Sequence, residues 1–238
     1  MNKIVLDNRK IIRVLLITGI ILFILSVAGQ MIQYLTESSK IQGLINMFSL
    51  GLERNIPTYF SSFLSLLASL LLLLITILQR KSEGPYITRW AILALGFFYI
   101  SIDEIVIIHE RLIRPVSSLL GVGNLGIFTF AWVIPAILML VFLALYFFKF
   151  LLHLDYKTQI NFLIAALLFI GGAIGFELIG GRYYGLHGED NLPYRMLQNI
   201  EESLEIAGLI VFIRALLEYA CAHFGNVMLI FDSSKRSS

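Results

Sequence analysis

Phe63-Leu64-Ser65-Leu66-Leu67-Ala68-Ser69-Leu70-Leu71-Leu72-Leu73-Leu74-Ile75-Thr76-Ile77-Leu78 carries no charged side chain and sits within an apolar run spanning 57–79. Crossing the hydrocarbon core of a bilayer takes ~20 such residues as a helix. Lipid offers no partner to backbone N–H and C=O groups, so a run of this kind satisfies them within itself as an α-helix. Five further runs read the same way, which predicts spans at 11–35, 57–79, 88–113, 126–152, 158–181 and 199–222. The short alternating segments of a β-barrel are not seen. The fold class expected is therefore all-α, a polytopic transmembrane bundle of about six spans forming one domain over 1–238.

Composition agrees. Of 238 residues, 58% are hydrophobic and only 14% charged, against roughly 25% charged in an ordinary soluble domain, and the mean hydropathy is +0.85. A net charge of +2 without a dense basic cluster gives no reason to expect a nucleic-acid partner. The single cysteine, Cys221, excludes an intrachain disulfide; its place at the end of the last span suits packing.

Lys and Arg near span ends favour the cytoplasmic side. One side collects Lys3, Arg9, Lys10, Arg13, Arg80, Lys81, Arg89, Lys149, Lys157, Arg214, Lys235 and Arg236, and the other Lys40, Arg54, Arg111, Arg114, Arg182 and Arg195. Twelve against six predicts that both termini lie inside. Ser26-Val27-Ala28 has the small residues of a signal-peptide cleavage site, but the apolar run continues through Met31, Ile32, Tyr34 and Leu35, as expected of a retained span. Between the first two spans, Ile41, Leu44, Ile45, Phe48 and Leu52 recur at helical spacing, which predicts a short helix on the outer surface. Pro57 opens the second span at a tolerated first-turn position, whereas Pro135 is expected to kink span four from inside. An inverted repeat of three plus three spans fails, because the polar parts of spans three and six face the same side.

Three spans break the hydropathy rule at one depth. Span three reads Ser101-Ile102-Asp103-Glu104 followed by His109-Glu110-Arg111. Span five ends Gly171-Gly172-Ala173-Ile174-Gly175-Phe176-Glu177, and span six opens Asn199-Ile200-Glu201-Glu202-Ser203-Leu204-Glu205. Seven carboxylates and one imidazole thus share an outer layer. At about 100° per residue, Asp103 and Glu110 fall on one line of an unbroken helix, two turns apart. Glu201, Glu202 and Glu205 stand at i, i+3 and i, i+4 spacings and share a face. Gly171-x-x-x-Gly175 is expected to admit a neighbouring helix and so bring Glu177 inward.

An ionised carboxylate in a membrane helix costs roughly 2.5–3.5 kcal/mol, so the set requires protons, arginines, water or a cation. Arg54, Arg111 and Arg182 are too few for seven acids. Carboxylates with one imidazole suit a divalent metal such as iron, manganese or zinc. The expected metal ligands and acid–base groups are Asp103, Glu104, His109, Glu110, Glu177, Glu201, Glu202 and Glu205. For Glu110, Glu201 and Glu202, near span ends, solvation at the interface is the competing reading. The paired Glu-x-x-His motifs of ferritin-like di-iron bundles are absent, and only His109 and His187 are on the correct side for zinc. Glu53-Arg54-Asn55 through Ser62 enters span two with several polar groups, and Gly180 through Asn191 is placed to cover the layer; Tyr183 and Tyr184 there read as an interfacial aromatic belt.

The combination of Asn55-Ile56-Pro57-Thr58-Tyr59-Phe60-Ser61-Ser62, Ser101-Ile102-Asp103-Glu104 with His109-Glu110, and Glu201-Glu202 with Glu205 resembles a family of uncharacterised bacterial, notably cyanobacterial, membrane proteins, some of which carry a multidrug-transporter label. That resemblance covers nearly the whole chain and implies a cell (inner) or thylakoid membrane location. Locally, Glu202-Ser203-Leu204-Glu205 resembles the Arg-Glu-x-x-Glu motif of iron permeases, with Glu201 where that family has arginine. It implies a glutamate pair that binds iron.

The function expected is an outward-facing carboxylate/histidine site that binds metal and acts on a lipid or membrane-soluble substrate. A cation- or proton-coupled transporter using the same acids, and a small structural subunit of a larger membrane complex or oligomer, are the rival readings. The topology is open to direct measurement: reporter fusions after Lys40 and Gly188 should read outside, and fusions after Gly84 and Ser238 inside. One reversed reporter would remove the acidic layer from the outer face.

Overall fold

A computed structural model describes residues 7–36, 41–120 and 126–225. Lys3, Lys40, Lys235 and Arg236, which enter the charge asymmetry, lie outside the described residues. Among the described residues there is no strand. The helices are α1 (Asn8–Thr36), α2 (Gln42–Phe48), α3 (Ile56–Lys81), α4 (Ile87–Val106), α5 (Ile108–Arg111), α6 (Ile113–Leu120), α7 (Val133–His153), α8 (Tyr156–Ile170), α9 (Glu177–His187) and α10 (Leu192–Phe224). A π-helical turn, Gly171–Phe176, joins α8 to α9 without a break in the rod.

Four helices are long and apolar enough to cross a membrane: Asn8–Thr36, Ile56–Lys81, Val133–His153 and Tyr156–His187. The pair Ile87–Val106 and Ile108–Leu120, bent by 71°, makes a fifth if it is one span. Each of the six expected runs holds helix, and α10 carries Glu201, Glu202 and Glu205 within the sixth. Its environment explains how. It packs against α1, α3, α8 and the π turn, and Leu209, Ile213 and Leu216 are almost wholly buried. A helix wrapped by other helices need not be as apolar as one that faces lipid. By contrast α1 exposes Val14, Ile17, Ile20, Ile21 and Ile24 along its length.

Helix starts follow local chemistry. Asn55 caps α3 by accepting from the Thr58 amide at 3.2 Å, with Pro57 in the first turn. Asn191 does the same for α10, accepting from Tyr194 at 2.9 Å with Pro193 just inside. Pro135 does not kink span four: α7 begins at Val133, so the proline lies in the first turn, where its missing N–H leaves no bond unmade. Residues 126–132, expected to open span four, instead form a 3₁₀ turn and bends before α7.

Hydroxyls and small residues hold the rods together. Ser62 Oγ donates to the Ser101 carbonyl at 2.8 Å, Ser101 Oγ to that of Ser62 at 2.9 Å, and Ser69 Oγ to that of Ala94 at 2.8 Å, lacing α3 to α4. Asn199 of α10 donates to Gln30 Oε1 at 2.7 Å and accepts from Ser26 Oγ at 2.7 Å, which ties α1 to the centre. The α8–α10 crossing depends on Gly208: a Cβ there would stand 2.7 Å from the Phe169 amide nitrogen and 2.9 Å from the Ala165 carbonyl. Gly172 likewise abuts the Glu201 carbonyl at 2.7 Å, whereas Gly171 and Gly175 face open space. The close approach expected of the Gly171/Gly175 pair is thus made by Gly172.

Because the atoms met at Gly208 are backbone, Gly208→Ala should force the two helices apart and destabilise the protein by about 1–3 kcal/mol. Gly171→Ala should be neutral or slightly stabilising. Thermal melting in detergent distinguishes them, and equal shifts would contradict the crossing described.

Candidate functional site

The site is set by a break in the third rod. Ile107 takes a left-handed conformation, φ +58°, which is costly for a β-branched residue. The chain turns there and brings His109 back over Asp103. The His109 amide donates to Asp103 Oδ1 at 3.0 Å, and His109 Nδ1 lies 2.6 Å from Asp103 Oδ2. Asp103 thereby satisfies an N–H that the break would leave orphaned. When Nδ1 donates to Asp103, Nε2 is left as the basic nitrogen. The same break removes the alignment of Asp103 with Glu110 expected of an unbroken helix; Glu110 is exposed on α5.

From His109 the contacts continue inward. Its ring lies 4.8 Å from that of Trp132, and Trp132 Nε1 donates to Glu177 Oε1 at 2.8 Å. Glu177 and Glu201 share a hydrogen bond between their carboxyl groups. Glu104, Glu202 and Glu205 complete the layer, each in electrostatic reach of at least one of the others. Glu104, Glu177, Glu201, Glu202 and Glu205 are all half-buried, partly open to the surface. The contact of Gly172 with Glu201 and Glu205 seats the π turn on this stretch of α10, one turn before Glu177.

The fold therefore brings together Asp103, Glu104, His109, Glu177, Glu201, Glu202 and Glu205 and leaves Glu110 at the rim. Among the described residues, no Lys or Arg reaches ion-pair distance of any of them; the ion pairs present are His109–Asp103, Lys157–Glu218, Arg195–Asp190 and Arg214–Glu218. Arg54, Arg111 and Arg182 are exposed. Among the described residues no three His, Cys, Asp or Glu side chains are already gathered as metal ligands. His187 is exposed and stacks on Tyr183 at 4.4 Å, outside the cluster.

Two further participants have no distinguishing signal in the sequence. Trp132, one of two tryptophans in the chain, follows a turn that packs on Gly181 of α9, the Phe130 ring lying 3.1 Å from where a Cβ would stand. Glu53 reads from sequence only as part of the polar segment that enters span two. Burial of its carboxyl, with Glu110 and Asp103 nearby, pushes it up to about 7 even though the residue as a whole is exposed.

Residues 14–220 match a family described as Domain of unknown function (DUF8692). The chain belongs to this family. No curated protein and no solved structure matches it. The family match takes in every member of the acidic layer, from Glu53 to Glu205.

A raised Glu53 binds its proton more tightly in the folded state than in the unfolded one, where the ordinary value is 4.5. Its contribution to stability is complete below pH 4.5 and is lost as pH rises through about 7. Glu53→Gln, which mimics the protonated form, should flatten the fall in melting temperature over that window. An unchanged slope would show that Glu53 does not titrate there.

Proposed function

We propose that this is a six-span protein of the cell (inner) or thylakoid membrane, both termini inside, with α10 as the central sixth span. Its acidic layer opens to the outer face and performs acid–base chemistry on a lipid or another membrane-soluble substrate. The observation that carries this reading is a layer of carboxylates with one oriented imidazole and, among the described residues, no Lys or Arg in contact. Asp103 orients His109 as the base. The hydrogen-bonded Glu177–Glu201 pair, which needs a proton between its two carboxyl groups, is the acid. Glu104, Glu202 and Glu205 would hold a divalent cation, iron, manganese or zinc, which would supply charge compensation and Lewis acidity. Towards the inner face, Leu209, Ile210, Ile213 and Leu216 close α10 in a tight apolar core, which favours a site reached from one side.

One observation favours a second reading. A proton shared between Glu177 and Glu201 is also what a proton-coupled transporter would release and rebind.

Metal stoichiometry and melting temperature with and without chelator, for wild type, Asp103→Ala, Glu205→Ala and Glu205→Gln, test the proposal. Wild type should hold metal and melt lower after chelation. Glu205→Ala should lose metal and roughly 3 kcal/mol of stability, because the remaining charges are left uncompensated, whereas Asp103→Ala, which removes only the partner of His109, should keep the metal. Glu205→Gln should lose metal with a smaller stability change. A wild type without metal, indifferent to added iron, manganese or zinc but driving proton flux into liposomes, would replace the enzyme reading with the transporter.

A further inference from the structure

The serine and threonine hydroxyls of α3 fall into two groups. Thr58 bonds to Asn55 and Leu52, Ser62 to Ser101, Ser69 to Ala94, and Thr76 back to the Leu72 carbonyl of its own helix. Ser61 and Ser65 have no hydrogen-bond partner among the described residues, although they are only 1% and 0% exposed. A buried hydroxyl ordinarily has a partner, and in an apolar helix the nearest is the carbonyl four residues back. Two such exceptions one turn apart call for a partner from outside the chain.

What they face follows from the register of α3 and α10. At the end away from the acids, Gln79 donates to Tyr219 at 2.8 Å. At the acidic end Thr58 donates to the Leu52 carbonyl, and Gln198 to the Gly51 carbonyl next to it. Tyr219 lies 140 residues beyond Gln79, and Gln198 lies 140 beyond Thr58, so the two helices run parallel and in step. Ser61 and Ser65 then stand level with Glu201 and Glu205, with Glu202 between. At about 100° per residue, Ser61 shares the line of Gln79 about five turns on, and so faces α10. Ser65 falls between that line and the one by which Ser62 and Ser69 meet α4. On α10, Glu202 heads the stripe of Leu209 and Leu216, which is almost wholly buried. Glu205 heads that of Phe212, whose ring stacks on Phe97 of α4 at 4.7 Å. Glu104 follows Ser101 on α4 by just under a turn and is in electrostatic reach of Glu202 and Glu205.

Three carboxylates and two hydroxyls offer oxygen only. The imidazole is outside this set, since His109 Nδ1 lies 2.6 Å from Asp103 and its ring 4.8 Å from that of Trp132. Oxygen-only shells suit hard six-coordinate cations, whereas zinc favours four ligands drawn mainly from nitrogen and sulfur. We propose that Ser61 and Ser65 give neutral oxygens to the cation held by Glu104, Glu202 and Glu205, and that the ion is a hard one, manganese rather than zinc. This selection rests on the reading that those acids hold a divalent cation, and it makes α3 the third wall of the site.

The test titrates the full chain in nanodiscs with Mn²⁺, followed by the loss of the free-ion signal in electron paramagnetic resonance. Wild type should bind one ion. Ser61→Ala and Ser65→Ala should each weaken it about tenfold, a change of about 1.4 kcal/mol. Without metal, both should melt at or above the wild-type temperature, because an unpartnered buried hydroxyl has been removed. Ser69→Ala, which breaks the bond to Ala94, should melt lower and bind Mn²⁺ unchanged. In a Cys221→Ser background, Ser65→Cys should weaken Mn²⁺ and tighten Cd²⁺ binding at least about tenfold, since a thiolate is a soft ligand. Wild type that binds Mn²⁺ while both alanine variants bind it equally well would overturn the role of the serines and leave the cation reading standing. Wild type that takes zinc but not Mn²⁺ would overturn the oxygen-only shell alone. Wild type that binds neither would remove the cation reading and this one with it.

Discussion

Everything in this protein is arranged around a helix that is central and yet acidic. Packed on several sides by α1, α3, α8 and the π turn, α10 escapes the demand that lipid makes on a spanning segment and can carry Glu201, Glu202 and Glu205. The cost is moved, not removed. Those carboxylates face Glu104 and Glu177 with no Lys or Arg at ion-pair distance among the described residues, so their charge must be met by protons, by water or by a cation. Fixing α10 therefore matters, and buried polar bonds do it. The reciprocal Gln30–Asn199 pair, with Ser26, pins one end of α10 to α1, and Gln79 donates to Tyr219 at 2.8 Å near the other.

Two departures from regular helix flank the acids, and each aims a side chain. The left-handed Ile107 folds α5 back so that both oxygens of Asp103 engage His109. The π turn widens the rod just before Glu177 and places Gly172 against the α10 backbone. Inserted backbone irregularities of this kind are frequent at functional sites. They are tolerated in a membrane protein where surrounding groups satisfy the freed backbone, as Asp103 does for the His109 amide.

The two ends of the bundle differ in the chemistry they offer. One gathers carboxylates, an imidazole and an indole N–H. The other gathers aromatic rings under a rim of Asp155 and two histidines. Between them lies an apolar core of Leu, Ile and Phe from α3, α8 and α10.

The sequence alone determined the features that obey local rules. Long apolar runs impose helices, since lipid leaves no other way to satisfy the backbone. The depth of Asp103, Glu104, Glu177 and Glu201–Glu205 along those runs is readable without any knowledge of packing. Tertiary structure decided direction. Asp103 and Glu110 share a face only if every residue advances by the same angle, and Ile107, with no glycine to announce it, breaks that count. Gly172 rather than Gly171 makes the close contact because a π turn shifts the angular register. Pro135 marks a helix start once the residues before it are bent against α9. Glu53 and Trp132 join the acidic layer through loops whose course depends on the surfaces they pack against. Periodicity carries information only within an unbroken helix; across a break or between helices, the positions of side chains are set by contacts that are distant in the chain.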